Sequence, residues 1–284
     1  MTQASIIRAQ TDSLENRVDP YRFLDSFDPS TSIQTRFPAP KGYHRIDRKS
    51  LTGFGRWLTR LPMLPPGETV ANPFNQFVLI STFVGGVVDV PLISNSYDAR
   101  GILNRLGHDY ARHMERELEI YHPGRGDDSI VFERWITGKY RTNANYTKLF
   151  WDEGEQRAID GAEMTRFTDF SNLVTSYATL LKECEEITES AAMPGDIFVQ
   201  IDSSSKAPHH HVVIVIDVVE GDSASVDPDR LILFGNGLTP AASFHILKPI
   251  KQTYRNWFAE GKLEEKLVKG GKGKFYRLNL PFLR

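Results

Sequence analysis

The chain has 284 residues, of which 40% are hydrophobic and 25% charged, so its composition is that of a globular protein and excludes disordered and fibrous classes. Its 34 basic and 36 acidic side chains give a net charge of −2, which provides no overall attraction for nucleic acid or anionic lipid. A single cysteine excludes an internal disulfide and a zinc site built from several thiolates. We expect no nucleic-acid partner and predict no cofactor.

The N-terminal sequence lacks the basic segment and apolar core of a secretory signal peptide. The longest apolar stretch, residues 77–93, is interrupted by Gly85-Gly86, Asp89 and Pro91, whereas a membrane helix needs about 20 apolar residues. We predict that this stretch is a hairpin that turns at Gly85-Gly86. A cytoplasmic protein without a membrane span is the simplest expectation.

Chain-breaking residues divide the sequence into an N-terminal arm, residues 1–45, and a single domain, residues 46–284. The arm contains Asp19-Pro20, Asp28-Pro29 and Phe37-Pro38-Ala39-Pro40. Proline and aspartate at this density favour an extended segment with at most short helices.

Two helices are predicted from apolar side chains that recur at steps of three and four residues. The first carries Leu103, Leu106, Tyr110, Met114 and Leu118. The second carries Phe167, Phe170, Val174, Tyr177, Leu181, Cys184 and Ile187. The only thiol, Cys184, is therefore expected near the end of a helix, buried and unreactive, because a helix C-terminus disfavours a thiolate.

Strands are predicted between the two helices and after the second helix. Residues 129–136 alternate in polarity, and the last third of the chain holds four apolar runs, 197–201, 212–219, 231–234 and 244–247. Helices followed by strands indicate an α+β fold, in which we expect these four strands to share one sheet. The basic run Lys269–Lys274 lacks the Ser or Thr and the helix of a phosphate loop, so it is predicted to be a turn before a final strand.

Three consecutive histidines, His209 to His211, open the second of these strands. Alternation puts His209 and His211 on one face and His210 on the other. Two imidazoles on one face could bind a metal if Asp202, His245 or a distant residue completed the set, and the alternative is a polar strand entry with one functional or capping histidine.

Several segments, taken in order, carry a resemblance to a known family. They are Phe54-Gly-Arg-Trp-Leu-Thr-Arg-Leu-Pro62, Pro66-Gly67, the helix 167–178, Pro194-Gly-Asp-Ile-Phe198, His211-Val-Val-Ile-Val-Ile-Asp217, Leu233-Phe-Gly-Asn-Gly-Leu-Thr-Pro-Ala241, His245-Ile-Leu247 and Asn256-Trp-Phe258. In this order the segments resemble the bacterial domain-of-unknown-function 4846 family over about residues 50–284.

Part of that pattern, about residues 165–250, resembles the NlpC-type, papain-like cysteine hydrolases. The resemblance implies a helix packed on a small antiparallel sheet or barrel, with His211 as general base and Asn236 as the residue that orients its imidazole. Phe170 stands where the nucleophilic cysteine would be, which leaves Ser171 as a candidate hydroxyl. The helix start of many members of the larger family carries a cysteine, and its counterpart here, residues 98–102, has none.

Two functions follow as expectations from this resemblance. The first is a pseudoenzyme that binds a peptide, a glycan-peptide or a protein partner in the groove beside His211 and Asn236. The alternative is a peptidase- or amidase-like hydrolase that uses Ser171 or a metal-bound water. The first expectation also predicts that His211 lies close to Asn236, with His210 on the opposite side of the strand.

Overall fold

A computed structural model describes most of the chain from residue 28 onward. The described residues are 28–70, 84–90, 99–114, 119–121, 129–137, 140–142, 149–151, 161–182, 184–202, 209–222, 228–237, 243–251, 253–263, 272–280 and 283.

The described residues form six α-helices and thirteen strands. The helices are α1 (Ile33–Arg36), α2 (Gly53–Leu58), α3 (Ala99–His113), α4 (Phe132–Ile136), α5 (Gly161–Val174) and α6 (Tyr177–Lys182). The strands are β1 (Tyr43–Arg45), β2 (Val84–Val87), β3 (Glu119–Tyr121), β4 (Ser129–Val131), β5 (Tyr140–Thr142), β6 (Leu149–Trp151), β7 (Cys184–Ile187), β8 (Ile197–Asp202), β9 (His209–Gly221), β10 (Arg230–Asn236), β11 (His245–Leu247), β12 (Phe258–Ala259) and β13 (Lys272–Leu278).

An open antiparallel sheet of nine described strands dominates the fold. Its order is β2-β11-β10-β9-β8-β13-β7, with β1 paired to β9 and β12 paired to β10. The four strands expected to share a sheet are β8 to β11, and all of them lie in it, so that prediction is confirmed. The protein is thus a mixed α and β structure with more sheet than the small sheet or barrel expected.

Two apolar cores lie on opposite faces of the sheet because the side chains of β9 alternate. Val212, Ile214 and Ile216 join the core that includes the helices, whereas Val213 and Val215 join a second core. Helix α3 packs on β9 on the first face, and α5 packs on α3. Phe198, Phe234, Phe258 and Phe275 fill the second face.

The described part of the predicted N-terminal arm contributes to this architecture. Residues 28–45 contain α1 and β1, and β1 pairs with the far end of β9. Ile33, Phe37 and Tyr43 are buried in the core shared with the helices. Residues 1–27 lie outside the described part of the chain.

The second predicted helix does not continue to Ile187, and this prediction is wrong. Helix α5 ends at Val174, and the side chain of Ser176 accepts the backbone N–H of Thr179 at 3.1 Å to start the separate helix α6. The chain then enters β7 at Cys184. Cys184 is therefore a half-buried strand residue and not a buried helical one.

Two further predictions of local structure are corrected. Gly85 and Gly86 lie inside β2, paired with β11, and not at a hairpin turn. They are required for close packing, since a Cβ would come within 2.9 Å of the Asn256 side chain at Gly85 and 2.7 Å of Met63 at Gly86. The predicted strand 129–136 stops at Val131, and residues 132–136 form α4.

None of the helices in the described part of the chain combines the length and apolar character needed to cross a membrane.

Candidate functional site at one end of the sheet

His211 and Asn236 lie on the same face of the sheet, at the end where β10 finishes and β9 begins. Asn236 is directly opposite Val213, and His211 is two residues from Val213 along β9. Such diagonal neighbours are roughly 7–8 Å apart, and their Cβ atoms are somewhat closer. The register therefore brings the two residues within reach of one bound group.

Two more polar residues occupy the same face. Gln200 is opposite His211 on β8, and His245 is opposite Asn236 on β11. Gln200, Asn236 and His245 are 0%, 5% and 1% exposed, and His211 is partly buried. Buried polar groups are costly unless they are hydrogen-bonded, so three of them beside the partly buried His211, at one end of an otherwise apolar face, form an unusual feature.

This polar group combines a hydrogen bond to the backbone with a buried acceptor. The ring nitrogen Nδ1 of His245 lies 2.8 Å from the carbonyl oxygen of Ser243, so Nδ1 carries the proton that it donates. Within the described part of the chain, the buried Oδ1 of Asn236 has no hydrogen-bond donor.

The first turns of α3 lie directly over this end of β10. A Cβ at Gly237 would come within 2.4 Å of Cγ1 of Ile102. The helix is held there by Arg100, which donates to the carbonyl oxygen of Asn172 at 2.7 Å, and by Asn104, which donates to the side chain of Asn172 at 2.9 Å. Ile102 belongs to the core on the face of Ile214, so the described part of the 98–102 counterpart, residues 99–102, lies on the opposite face of the sheet from His211 and Asn236.

Ser171 lies elsewhere. It is 1% exposed on α5, the helix that packs on α3, and its neighbour Phe170 stacks on Trp135 at 5.4 Å between ring centroids. The face that carries the helices is that of Ile214, whereas alternation puts His211 on the face of Val213. The structure therefore does not bring Ser171 together with His211.

Cys184 is also remote from His211. It is opposite Leu278 on β13, and its Sγ donates to the carbonyl oxygen of Leu180 at 3.1 Å. Strand β7 is three strands from β9, and the register offsets Cys184 from His211 by five residues. These displacements are about 14 Å across and about 17 Å along the sheet, or roughly 22 Å in all.

The predicted metal site, His209 and His211 with Asp202 or His245, includes two side chains outside the described set, those of His209 and Asp202. Their backbones pair in the ladder of β8 and β9, where His209 is opposite Asp202. Among the side chains that the structure does describe, no three of the His, Cys, Asp and Glu type are grouped to hold a metal ion.

Gly195 and Asp196 precede β8 at the opposite end from His211. Gly195 has a φ of +98°, a conformation that favours glycine. Asp196 accepts the backbone N–H of Met193 at 2.8 Å and the guanidinium of Arg277 at 2.9 Å. Burial raises the pKa of Asp196, and Arg277 opposes that shift. These contacts make Asp196 a structural residue.

A buried polar cluster within the helices escaped the sequence reasoning. Arg105 is fully buried, and its Nε lies 2.7 Å from both carboxylate oxygens of Asp109. Nδ1 of His108 is 2.9 Å from Oγ1 of Thr168. Burial, followed by the charge of Arg105, lowers the pKa of His108 to about 3, so its ring is neutral at physiological pH. The Arg-x-x-His-Asp spacing on α3 was the available signal.

Comparison with known proteins gives one result. The family model described as "Domain of unknown function (4846)" matches residues 33–280. No curated protein matches, and no solved structure matches.

Proposed function

The chain belongs to the family described as domain of unknown function (4846), and within that family we propose that it is a binding protein that takes a peptide, free or as part of a glycan-peptide. The proposed site is the polar end of the sheet around His211 and Asn236. In this proposal the NlpC-like residues serve recognition and not hydrolysis.

The observation that carries the proposal is the separation of the only thiol from the candidate base. Cys184 is the single cysteine of the chain and lies roughly 22 Å from His211 by the sheet register. A general base must lie within hydrogen-bond reach of the group that it deprotonates, about 2.6–3.2 Å. This separation argues against a thiolate mechanism at His211 and supports a binding role for the site.

A peptide suits the groups that are present. Each peptide unit offers one N–H donor and one C=O acceptor. The buried Oδ1 of Asn236 can accept a peptide N–H, and partly exposed His211 can contact the same segment from the neighbouring strand. Burial strengthens such hydrogen bonds because the local dielectric constant is low.

The test is a binding titration that follows the imidazole resonances of the protein by NMR. The probes are short peptides with amidated C-termini and the same peptides linked to a sugar. We expect saturable shifts of the His211 resonance, assigned with His211→Gln, and a loss of affinity of about tenfold in Asn236→Ala, which removes one buried hydrogen bond.

The matched control is His44→Gln, because His44 is an exposed histidine on the same sheet that contacts Asp222 at 3.0 Å. This variant is expected to bind like the wild type. Equal effects of the variants at residues 44 and 211, or no saturable shift with any probe, would contradict the proposal. Thermal unfolding of Asn236→Ala separates lost binding from lost folding.

A further inference from the structure

A cleft of about 260 Å³ lies between α2 and the C-terminal end of α3. Tyr110 of α3 is eight residues from Ile102, which is about 12 Å along the helix axis, so the cleft is distinct from the polar end of the sheet. Its lining consists of Arg48, Leu51, Gly53, Arg56, Trp57, Thr59, Arg60, Tyr110, His113 and Met114.

The cleft is strongly basic. Arg48, Arg56 and Arg60 are exposed, and the lining contains no carboxylate. Among described residues none of the three forms an ion pair within 4.0 Å. Their hydrogen bonds are to neutral groups, from Arg48 to the Gln34 side chain at 2.5 Å and from Arg56 to the Arg48 carbonyl oxygen at 3.4 Å.

The lining of the cleft also contains two aromatic side chains, Trp57 and Tyr110. Trp57 stacks on Phe54 at 6.0 Å and meets Tyr110 at 5.8 Å between ring centroids. Trp57 is 7% exposed, and no group in the described part of the chain accepts its buried indole N–H. A buried donor of this kind is satisfied when a bound group supplies an acceptor.

The dipole of α3 does not by itself explain this arrangement. The C-terminal end of a helix attracts cations, and α3 supplies Arg112 and His113 in its own last turn. The three arginines come from other segments and converge on the same cleft.

We propose that this cleft binds a small phosphomonoester whose apolar body packs against Trp57 and Tyr110. A phosphate dianion matches several guanidinium groups, which bind planar or tetrahedral oxyanions through paired N–H donors. Its oxygens also supply an acceptor for the indole N–H of Trp57. The apolar body of the ligand covers the two aromatic rings, and exposed Met114 adds to the apolar lining.

The test uses phenyl phosphate as the probe. Inorganic phosphate, which lacks the apolar ring, and phenol, which lacks the phosphate, are the comparison compounds. Binding is measured by calorimetry and by the indole N–H resonance of Trp57, assigned with Trp57→Phe. We expect saturable binding of phenyl phosphate, tighter than that of either comparison compound. Arg56→Gln and Arg60→Gln should each weaken it by about tenfold, because each removes a charge-assisted hydrogen bond.

Arg134→Gln is the matched control, since Arg134 is an exposed arginine on α4 outside the cleft. It should bind phenyl phosphate like the wild type. Three results would overturn the proposal: no saturable movement of the Trp57 resonance, equal losses in the variants at residues 56 and 134, or phenol binding as tightly as phenyl phosphate. Because this cleft is separate from His211, none of these results bears on the peptide proposal.

Discussion

Arg45 donates from Nε to Oδ2 of Asp217 at 2.6 Å, and so ties β1 to the strand that begins with three histidines. The Asp217 side chain is 2% exposed and that of Arg45 is 23% exposed. Arg45 also donates to the carbonyl oxygens of Gln34 and Phe37 at 3.0 and 2.7 Å. One side chain therefore joins the segment before the first long helix to the centre of the sheet.

Replacing Arg45 with Met should destabilise the protein by about 3 kcal/mol, because it leaves a buried carboxylate without its partner. Burial raises the pKa of Asp217, and Arg45 is the largest influence opposing that shift. Without Arg45 the pKa of Asp217 rises further and Asp217 is protonated at higher pH. The stability deficit should therefore shrink as the pH is lowered, which urea unfolding at several pH values measures.

The control for this prediction is Lys274→Ala, which breaks the exposed pair between Lys274 and Glu186 at 2.7 Å. Exposed ion pairs contribute little to stability. If Lys274→Ala lowered the free energy of unfolding as much as Arg45→Met does, the effect of the Arg45 variant could not be attributed to burial of the pair with Asp217.

His108 leads to a second prediction about how the free energy of unfolding depends on pH. Its pKa is lowered from 6.5 to about 3 by burial, so the unfolded chain takes up a proton below pH 6.5 that the folded chain does not. Because of this difference in proton uptake, the free energy of unfolding should fall by about 1.4 kcal/mol per pH unit as the pH drops from 6.5 toward 3. His108→Gln lacks this pH-dependent contribution. The difference in the free energy of unfolding between the variant and the wild type should therefore narrow by about 2 kcal/mol as the pH falls from 7 to 5.

The measurement is again chemical unfolding, combined with an NMR titration of the histidine rings. The His108 resonance should not titrate above pH 4 in the wild type. A His108 ring that titrates near its ordinary value of 6.5 would refute the prediction.

Gly237→Ala tests the close approach of α3 to the sheet. The new Cβ would come within 2.4 Å of Ile102 Cγ1, so the first turn of α3 must shift, at a cost of about 1–3 kcal/mol. Ile102→Ala removes the obstructing atom and also creates a cavity. The double variant should be more stable than the sum of the two single effects predicts, and strict additivity would contradict the contact.

The strands of the sheet could be predicted because their pattern is local. Residues 212–219 form a continuous apolar run bounded by polar segments, a pattern that identifies a strand with both faces buried. The register that places His211 diagonal to Asn236 is not local, since it depends on how β9 and β10 pair. The roles given to these two residues came from the family resemblance.

The break between α5 and α6 could not be predicted from the apolar stripe, which continues through Tyr177 and Leu181. What ends α5 is tertiary structure: Arg100 of α3 donates to the carbonyl oxygens of Asn172 and Thr175 at its C-terminus. The same limit applies to Arg105 and Asp109, because charged side chains of a helix usually lie on its solvated face. They are buried because α3 lies between the sheet and a second layer of helices.

Gln200 and His245 illustrate the same point at the candidate site. Gln200 lies within a predicted strand and His245 at the start of another, and neither position alone marks a site. They join His211 and Asn236 only because four strands align in one register.

The central claim is that this chain binds at His211 and Asn236 without performing thiol hydrolysis, and a turnover assay tests it most directly. Wild type, His211→Ala, Ser171→Ala and Cys184→Ala are incubated with peptide and acyl substrates, and product release is followed. We expect no variant and no wild-type sample to exceed the uncatalysed rate. Turnover that is lost in the His211 variant and retained in the Cys184 variant would contradict the claim and establish a hydrolase with a different nucleophile.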